Sequence, residues 1–239
     1  MLITIRMTAT GLNLDQTHIT QANREYKEEV VAATPAASTN VLRSYSVARD
    51  VDTENGKSAK KVLSYEGKSV RLKRVNNVSS ATISTGALSA DDQKELITTL
   101  KGDDAGYFPE KPVALGDTWK QSLKKILGGS SDIPDGDANL TFLEFTQQNG
   151  HKCAHIQMKA SVSQDLSGIT LSGDLTGDLY FAVDINRTLQ MDLDGPLKMN
   201  GKQTAGDKTI EINGTGKLHV SSHMLFLQVA GKPQVPATK

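Results

Sequence analysis

Apolar and polar side chains alternate at two-residue intervals along most of this chain, in short runs broken by Gly, Asn and Asp. Successive side chains of a strand point to opposite faces, so such alternation specifies sheet with one face buried. Runs of this kind cover Leu2–Thr10, Val41–Ala48, Ala59–Tyr65, Ser69–Val75, Val78–Ser84, Leu140–Thr146, Cys153–Ser161, Ile169–Asp174, Asp178–Asp184, Leu189–Leu193, Thr209–Asn213 and Gly216–Met224. Glu66-Gly67 and Asn149-Gly150 read as tight hairpin turns, because glycine accepts the positive φ that such turns require. The pattern predicts a mainly β (α+β) fold: curved antiparallel sheets in two β-rich halves, with one or two helices packed on a sheet.

One helix has a full set of signals. Ser89 supplies an N-cap hydroxyl and Asp92 a carboxylate three residues later, then Leu96, Ile97 and Leu100 follow at helical spacing before Gly102. This predicts a capped helix over 89–101. In Gln21–Val31, Ala22, Tyr26 and Val30 suit a helix face, so helix is expected there, with a strand through Arg24–Val30 as the alternative. Leu123–Leu127 reads as one turn ended by Gly128-Gly129. Gly102–Gly106, Pro109 and Pro112 interrupt regular structure. They divide the chain into an N-terminal β-rich half, 1–103, and a C-terminal antiparallel β half, 104–239.

A chain of 239 residues can bury a core without metal or disulfide. Its 27 Lys+Arg and 27 Asp+Glu cancel, which argues against nucleic acid as a partner. Cys153 is the only cysteine, so no internal disulfide and no all-cysteine metal site forms. No apolar run is long enough to cross a bilayer as a helix. Met1–Thr10 alternates instead of forming a continuous apolar segment, and it is not read as a signal peptide.

Several groupings bear on chemistry. His151, Cys153 and His155 share one face of a strand, and His219 and His223 share a face of a later one; together they are the candidate zinc or copper ligands if the two strands are neighbours. Against this, cysteine is among the most buried residue types and histidines on an open sheet face are commonly just solvated, so no metal or cofactor is expected. Asp165, Asp174, Asp178, Asp184, Asp192 and Asp194 match no calcium loop. There is no Gly-x-Ser-x-Gly elbow and no phosphate-cradling glycine loop, so no catalytic residues are assigned and an enzyme is not expected. Lys57, Lys60, Lys61, Lys68, Arg71, Lys73 and Arg74 concentrate in a short stretch; on adjacent strands they read first as a solvated outer face, with a basic stripe facing anionic lipid heads, polysaccharide or another protein as the functional alternative.

The segment Tyr107-Phe-Pro-Glu-Lys-Pro-Val-Ala-Leu-Gly-Asp-Thr-Trp119 resembles a recurrent element, Pro-x-Lys-Pro-Val-x-x-Gly-(Asp/Glu)-(Ser/Thr)-Trp, of poorly characterised exported bacterial β-rich proteins. The resemblance implies a periplasmic or cell-envelope protein and carries no established catalytic residues. In physical terms the motif reads as structure. Gly116 permits a turn, Asp117 hydrogen-bonds its amides, and Trp119 anchors a core near the junction of the halves. Two functions follow as expectations. The first is a non-enzymatic, lipoprotein-carrier-like binder of an apolar or amphiphilic small molecule on a curved sheet. The alternative is a structural or interaction module that uses the basic sheet face.

Overall fold

A computed structural model describes residues 2–10, 14–33, 38–76, 78–101, 107–109, 111–126, 135–165, 168–205 and 208–224. The elements are β1 (Leu2–Thr10), β2 (Leu14–Ala33), β3 (Ser38–Glu54), β4 (Lys57–Val62), β5 (Ser69–Val75), β6 (Val78–Ile83), α1 (Ala90–Lys101), β7 (Thr118–Ser122), α2 (Leu123–Ile126), β8 (Asp135–Gln148), β9 (His151–Asp165), β10 (Ile169–Ala182), β11 (Arg187–Ala205) and β12 (Lys208–His223). The fold is mainly β, as the alternation predicts. All strands join one 12-stranded sheet, ordered β6-β5-β3-β2-β1-β12-β11-β10-β9-β8-β7, with β4 also paired to β3. The strand pairs are antiparallel throughout. The two halves of the chain are therefore joined by the first strand lying beside the last.

Both hydrophobic clusters lie on the same face of this sheet, called here the inner face. The C-terminal cluster includes Leu140, Ile156, Leu175, Leu179, Leu193 and Leu218, and the N-terminal one Tyr45, Tyr65, Val70, Leu72 and Leu96. Register connects them. Leu218 pairs with Ile3, Ile3 with Thr20 and Thr20 with Asp52, and directly paired residues of an antiparallel sheet share a face. Two steps along β2 from Ala22, Arg24 continues that face to α1.

The segment Gln21–Val31 is strand, not helix. It forms the middle of β2, which registers with β3 from His18 to Ala33. The helical reading followed Ala22, Tyr26 and Val30, but Arg24, Tyr26 and Glu28 are the residues that share the inner face. A two-residue period built from charged side chains gives no hydrophobic signal.

Three strands also run through places that read as turns. β10 continues through Gly177, β11 through Gly195-Pro196, and β12 through Gly214 and Thr215. A Cβ on Gly177 would lie 1.9 Å from the Asp192 carbonyl oxygen, and one on Gly195 2.2 Å from that of Asp174. These glycines allow close backbone approach inside the sheet, not reversal. Opposite them sit Leu193 and Leu218, large over small. Pro196 keeps its register with Lys217 on β12, whereas the pairing with β10 lapses between Gly173–Leu197 and Thr176–Asp194, opposite the proline that has no N–H to donate.

Asn149-Gly150 forms the expected two-residue hairpin, with φ of 51° and 83°. Glu66-Gly67 is a turn but no hairpin, since the strands on either side of it, β4 and β5, both pair with β3 and not with each other. The two-residue hairpin in this region is Asn55-Gly56, φ 49° and 79°, joining β3 to β4. The hydroxyl half of the helix cap is as expected, whereas the Asp92 carboxylate accepts from Ser64 and the Ser89 amide donates to the Ser64 hydroxyl at 3.4 Å. The Ser89 hydroxyl accepts the Asp92 amide at 3.1 Å. Gly102 and Leu127–Gly129 lie outside the described residues.

Candidate functional site

The surface beneath α1 combines buried aromatic rings with two arginines. Alternation along β2 brings Arg24, Tyr26 and Glu28 to the inner face, β3 adds Arg43 and Tyr45, and the turn after β4 adds Tyr65. The three tyrosines form a chain, with ring centroids 4.9 Å apart for Tyr26–Tyr45 and 4.6 Å for Tyr45–Tyr65. The Arg43 guanidinium sits 4.8 Å from the Tyr26 ring centroid and donates to Glu28 Oε2 at 2.7 Å and to the Thr99 hydroxyl of α1. Arg24 Nε donates to Glu95 Oε1 of α1 and to Tyr65 Oη, each at 2.9 Å, and a second nitrogen donates to Asp50 Oδ1 at 2.9 Å. Tyr65 Oη in turn donates to Glu95 Oε1 at 3.0 Å.

Polar contacts therefore fasten much of α1 to the sheet. Asp92 accepts from the Ser64 amide at 2.8 Å and from the Ser64 hydroxyl. Burial opposes the Asp92 charge, but those hydrogen bonds outweigh it and hold the carboxyl below its usual range. Burial pushes the Tyr45 phenol up to about 12 and the Tyr65 phenol further, so both stay protonated at physiological pH. Leu96 is the apolar centre of the helix contact and is 1% exposed. No functional role is assigned to Arg24, Arg43, Tyr26 or Tyr45 from the sequence. The usable signal was the Arg-x-Tyr-x-Glu alternation at 24–28, which becomes legible once β2 is known to be a strand.

The candidate metal ligands are dispersed. His151, Cys153 and His155 do lie along one face of β9, the outer one, but β10 and β11 separate β9 from β12, which carries His219 and His223. Each histidine instead faces its own aspartate. His151 Nδ1 lies 2.9 Å from Asp184, His155 Nε2 2.7 Å from Asp178, His219 Nδ1 2.8 Å from Asp194 and His223 Nε2 3.5 Å from Asp192. Cys153 is fully buried with Ala182 and Leu189, and desolvation raises its thiol pKa. Among the described residues no group of three or more His, Cys, Asp or Glu is arranged to hold a metal ion.

Ser221, His223 and Asp192 meet on the outer face without the geometry of a catalytic triad. Asp192 Oδ1 accepts directly from the Ser221 hydroxyl at 2.6 Å, and the same His223 Nε2 faces both Ser221, at 2.8 Å, and Asp192. In a triad the aspartate holds the far ring nitrogen while Nε2 takes the serine proton.

The basic residues do not form one stripe. Val70 and Leu72 are buried on the inner face, so Arg71 and Lys73 point outward, as does Lys60 by its register with Val51. Lys57 and Lys61 register with Glu54 and Asp50 on the inner face, Arg74 alternates onto that face too, and Lys68 belongs to the turn before β5. The Trp119 motif packs as structure. Asp117 Oδ2 accepts the Ala114 amide at 2.7 Å, the Gly116 amide donates to the Phe142 carbonyl at 2.8 Å with φ of 85°, and Trp119 Nε1 donates to the Tyr107 carbonyl at 2.7 Å. Trp119 is 9% exposed in the C-terminal cluster, on the edge strand β7, with four strands between it and the β1–β12 pairing, so it anchors the C-terminal core and not the junction of the halves.

An open hollow of about 340 Å³ is lined by His18, Asp52, Glu54, Asn55, Lys57 and Ala59. No helix among the described residues is long and apolar enough to cross a membrane. No protein-family model matches the chain, and no curated protein matches it with significance.

Proposed function

We propose that the protein is a non-catalytic, exported binder of an amphiphilic small molecule, received on the inner face where α1 now lies. The observation that carries this reading is the make-up of the surface under α1. Tyr45, Tyr65, Val70 and Leu72 offer buried apolar area beside the cations Arg24 and Arg43. Those are the two chemistries an amphiphile with an anionic head requires. α1 occupies the surface with the same pair of chemistries, Leu96 within the buried apolar cluster and Glu95 against Arg24. Uptake then means exchange: the ligand carboxylate replaces the Glu95 carboxylate, and its chain replaces Leu96.

The test is titration of the full chain with a fluorescent long-chain fatty acid. Saturable binding, weakened in Arg24→Gln and strengthened in Glu95→Ala, supports the reading. Absence of saturable binding in both the native protein and Glu95→Ala overturns it. A second reading, an interaction module, is favoured by Lys60, Arg71 and Lys73 on the outer face, which make no ion pair among the described residues. Binding to an acidic polysaccharide that is lost in Arg71→Glu/Lys73→Glu would support it.

A further inference from the structure

Strand β2 is flanked on both sides along only part of its length. β1 registers with Leu14 to Gln21, whereas β3 registers with His18 to Ala33. From Asn23 to Ala33 the edge of β2 turned away from β3 meets no described strand. Tyr26, Val30 and Val31 of this segment are 42%, 44% and 47% exposed. A long exposed edge with apolar side chains is a template for another strand.

We infer that this edge pairs with the same edge of a second copy of the chain, the two β2 segments running antiparallel about Glu28. Sterics bound the centre on the β1 side, and full use of the open edge places it at the middle. Glu28 is the midpoint of Asn23–Ala33, and a centre nearer the start of β2 would drive the second copy into β1. At this register Tyr26 of each copy lies opposite Val30 of the other, an aromatic against a β-branched residue on the inner face, and Lys27 falls opposite Glu29. The two Glu28 side chains that meet at the axis are each held by Arg43 of their own copy at 2.7 Å, so their charges are compensated. The segment is thus complementary to itself, which is what selects a second copy over an arbitrary strand. The inference is independent of the ligand reading.

The test is sedimentation equilibrium of the full chain over a wide concentration range, with Val30→Lys as the variant and Val62→Lys, at an exposed valine elsewhere, as the control. The native protein is expected to be a dimer. Val30→Lys should raise its dissociation constant at least about tenfold with an unchanged circular dichroism spectrum, and Val62→Lys should leave it unaltered. A native protein that is monomeric throughout, or a dimer indifferent to Val30→Lys, overturns the inference. So does a monomer that dimerises only when truncated after Met224, because the chain's own C-terminal segment would then cover the edge.

Discussion

Arg24 on β2 and Glu95 on α1 meet Nε to Oε1 at 2.9 Å, although 71 positions separate them in the chain. The pair ties the helix to the sheet, and its side chains are 21% and 41% exposed, so water screens part of the attraction. Glu95→Gln is expected to cost about 1 kcal/mol after that discount. Arg24→Ala is expected to cost more, about 2–3 kcal/mol, because Glu95, Asp50 and the Tyr65 hydroxyl each lose a guanidinium donor, and Glu95 still accepts only from Tyr65. Urea unfolding of the two variants checks the order; equal losses would mean that Arg24 contributes only through Glu95.

The strand glycines yield a sharper contrast. Gly177→Ala places a methyl group where the Asp192 carbonyl oxygen already stands, 1.9 Å away, and backbone cannot rotate aside. The expected loss is about 3 kcal/mol or more, at the upper end of overpacking effects. Gly150→Ala meets nothing within 4 Å and pays only for its φ of 83°, about 1 kcal/mol. Thermal melts of both proteins decide whether close approach or conformational freedom dominates.

Legibility in the sequence followed the chemistry of the inner face. Where that face is aliphatic, as at Val70 and Leu72 of β5 or Ile156 and Met158 of β9, alternation identified the strand. Where it is charged, at Arg24 and Glu28, or glycine, at Gly177 and Gly195, the same geometry read as helix or turn. The site suffered most, because its cations lie 19 positions apart in the chain and meet only through the β2–β3 register. The histidine pairs were half visible. Same-face spacing on β9 and β12 was readable, but strand order, which decides whether the two strands touch, was not.

Trp119 gives a spectroscopic check on the C-terminal core. As the sole tryptophan, 9% exposed, it should emit at short wavelength in the native state and shift red on unfolding. Trp119→Ala is expected to cost about 3–5 kcal/mol. Trp119→Phe should cost about 1–3 kcal/mol, the cost of leaving the buried Tyr107 carbonyl without its indole donor.

Stability should fall in acid. Glu66 is held below its usual range by the Ala48 amide, with Arg49 adding to the effect. At Asp192, burial opposes the charge but is outweighed by hydrogen bonds from Ser221 and Gln190, and Asp92 behaves alike through Ser64. A carboxyl depressed in the folded state contributes stability that is full above its unfolded pKa, about 4, and is lost as pH falls through the folded value. The unfolding midpoint should therefore be level near neutrality and drop below about pH 4. Asp92→Asn should flatten that drop; an unchanged slope would exclude Asp92 from it.

Hydrogen exchange with and without a saturating long-chain fatty acid decides whether a ligand displaces α1 from the inner face. If the ligand takes the place of α1, amides in the body of the helix should exchange faster in the complex, while those of β3 and β5 around Tyr45, Val70 and Leu72 should gain protection. Protection that leaves α1 unchanged, or that appears on the outer face around His155 and Asp178 instead, would contradict that displacement.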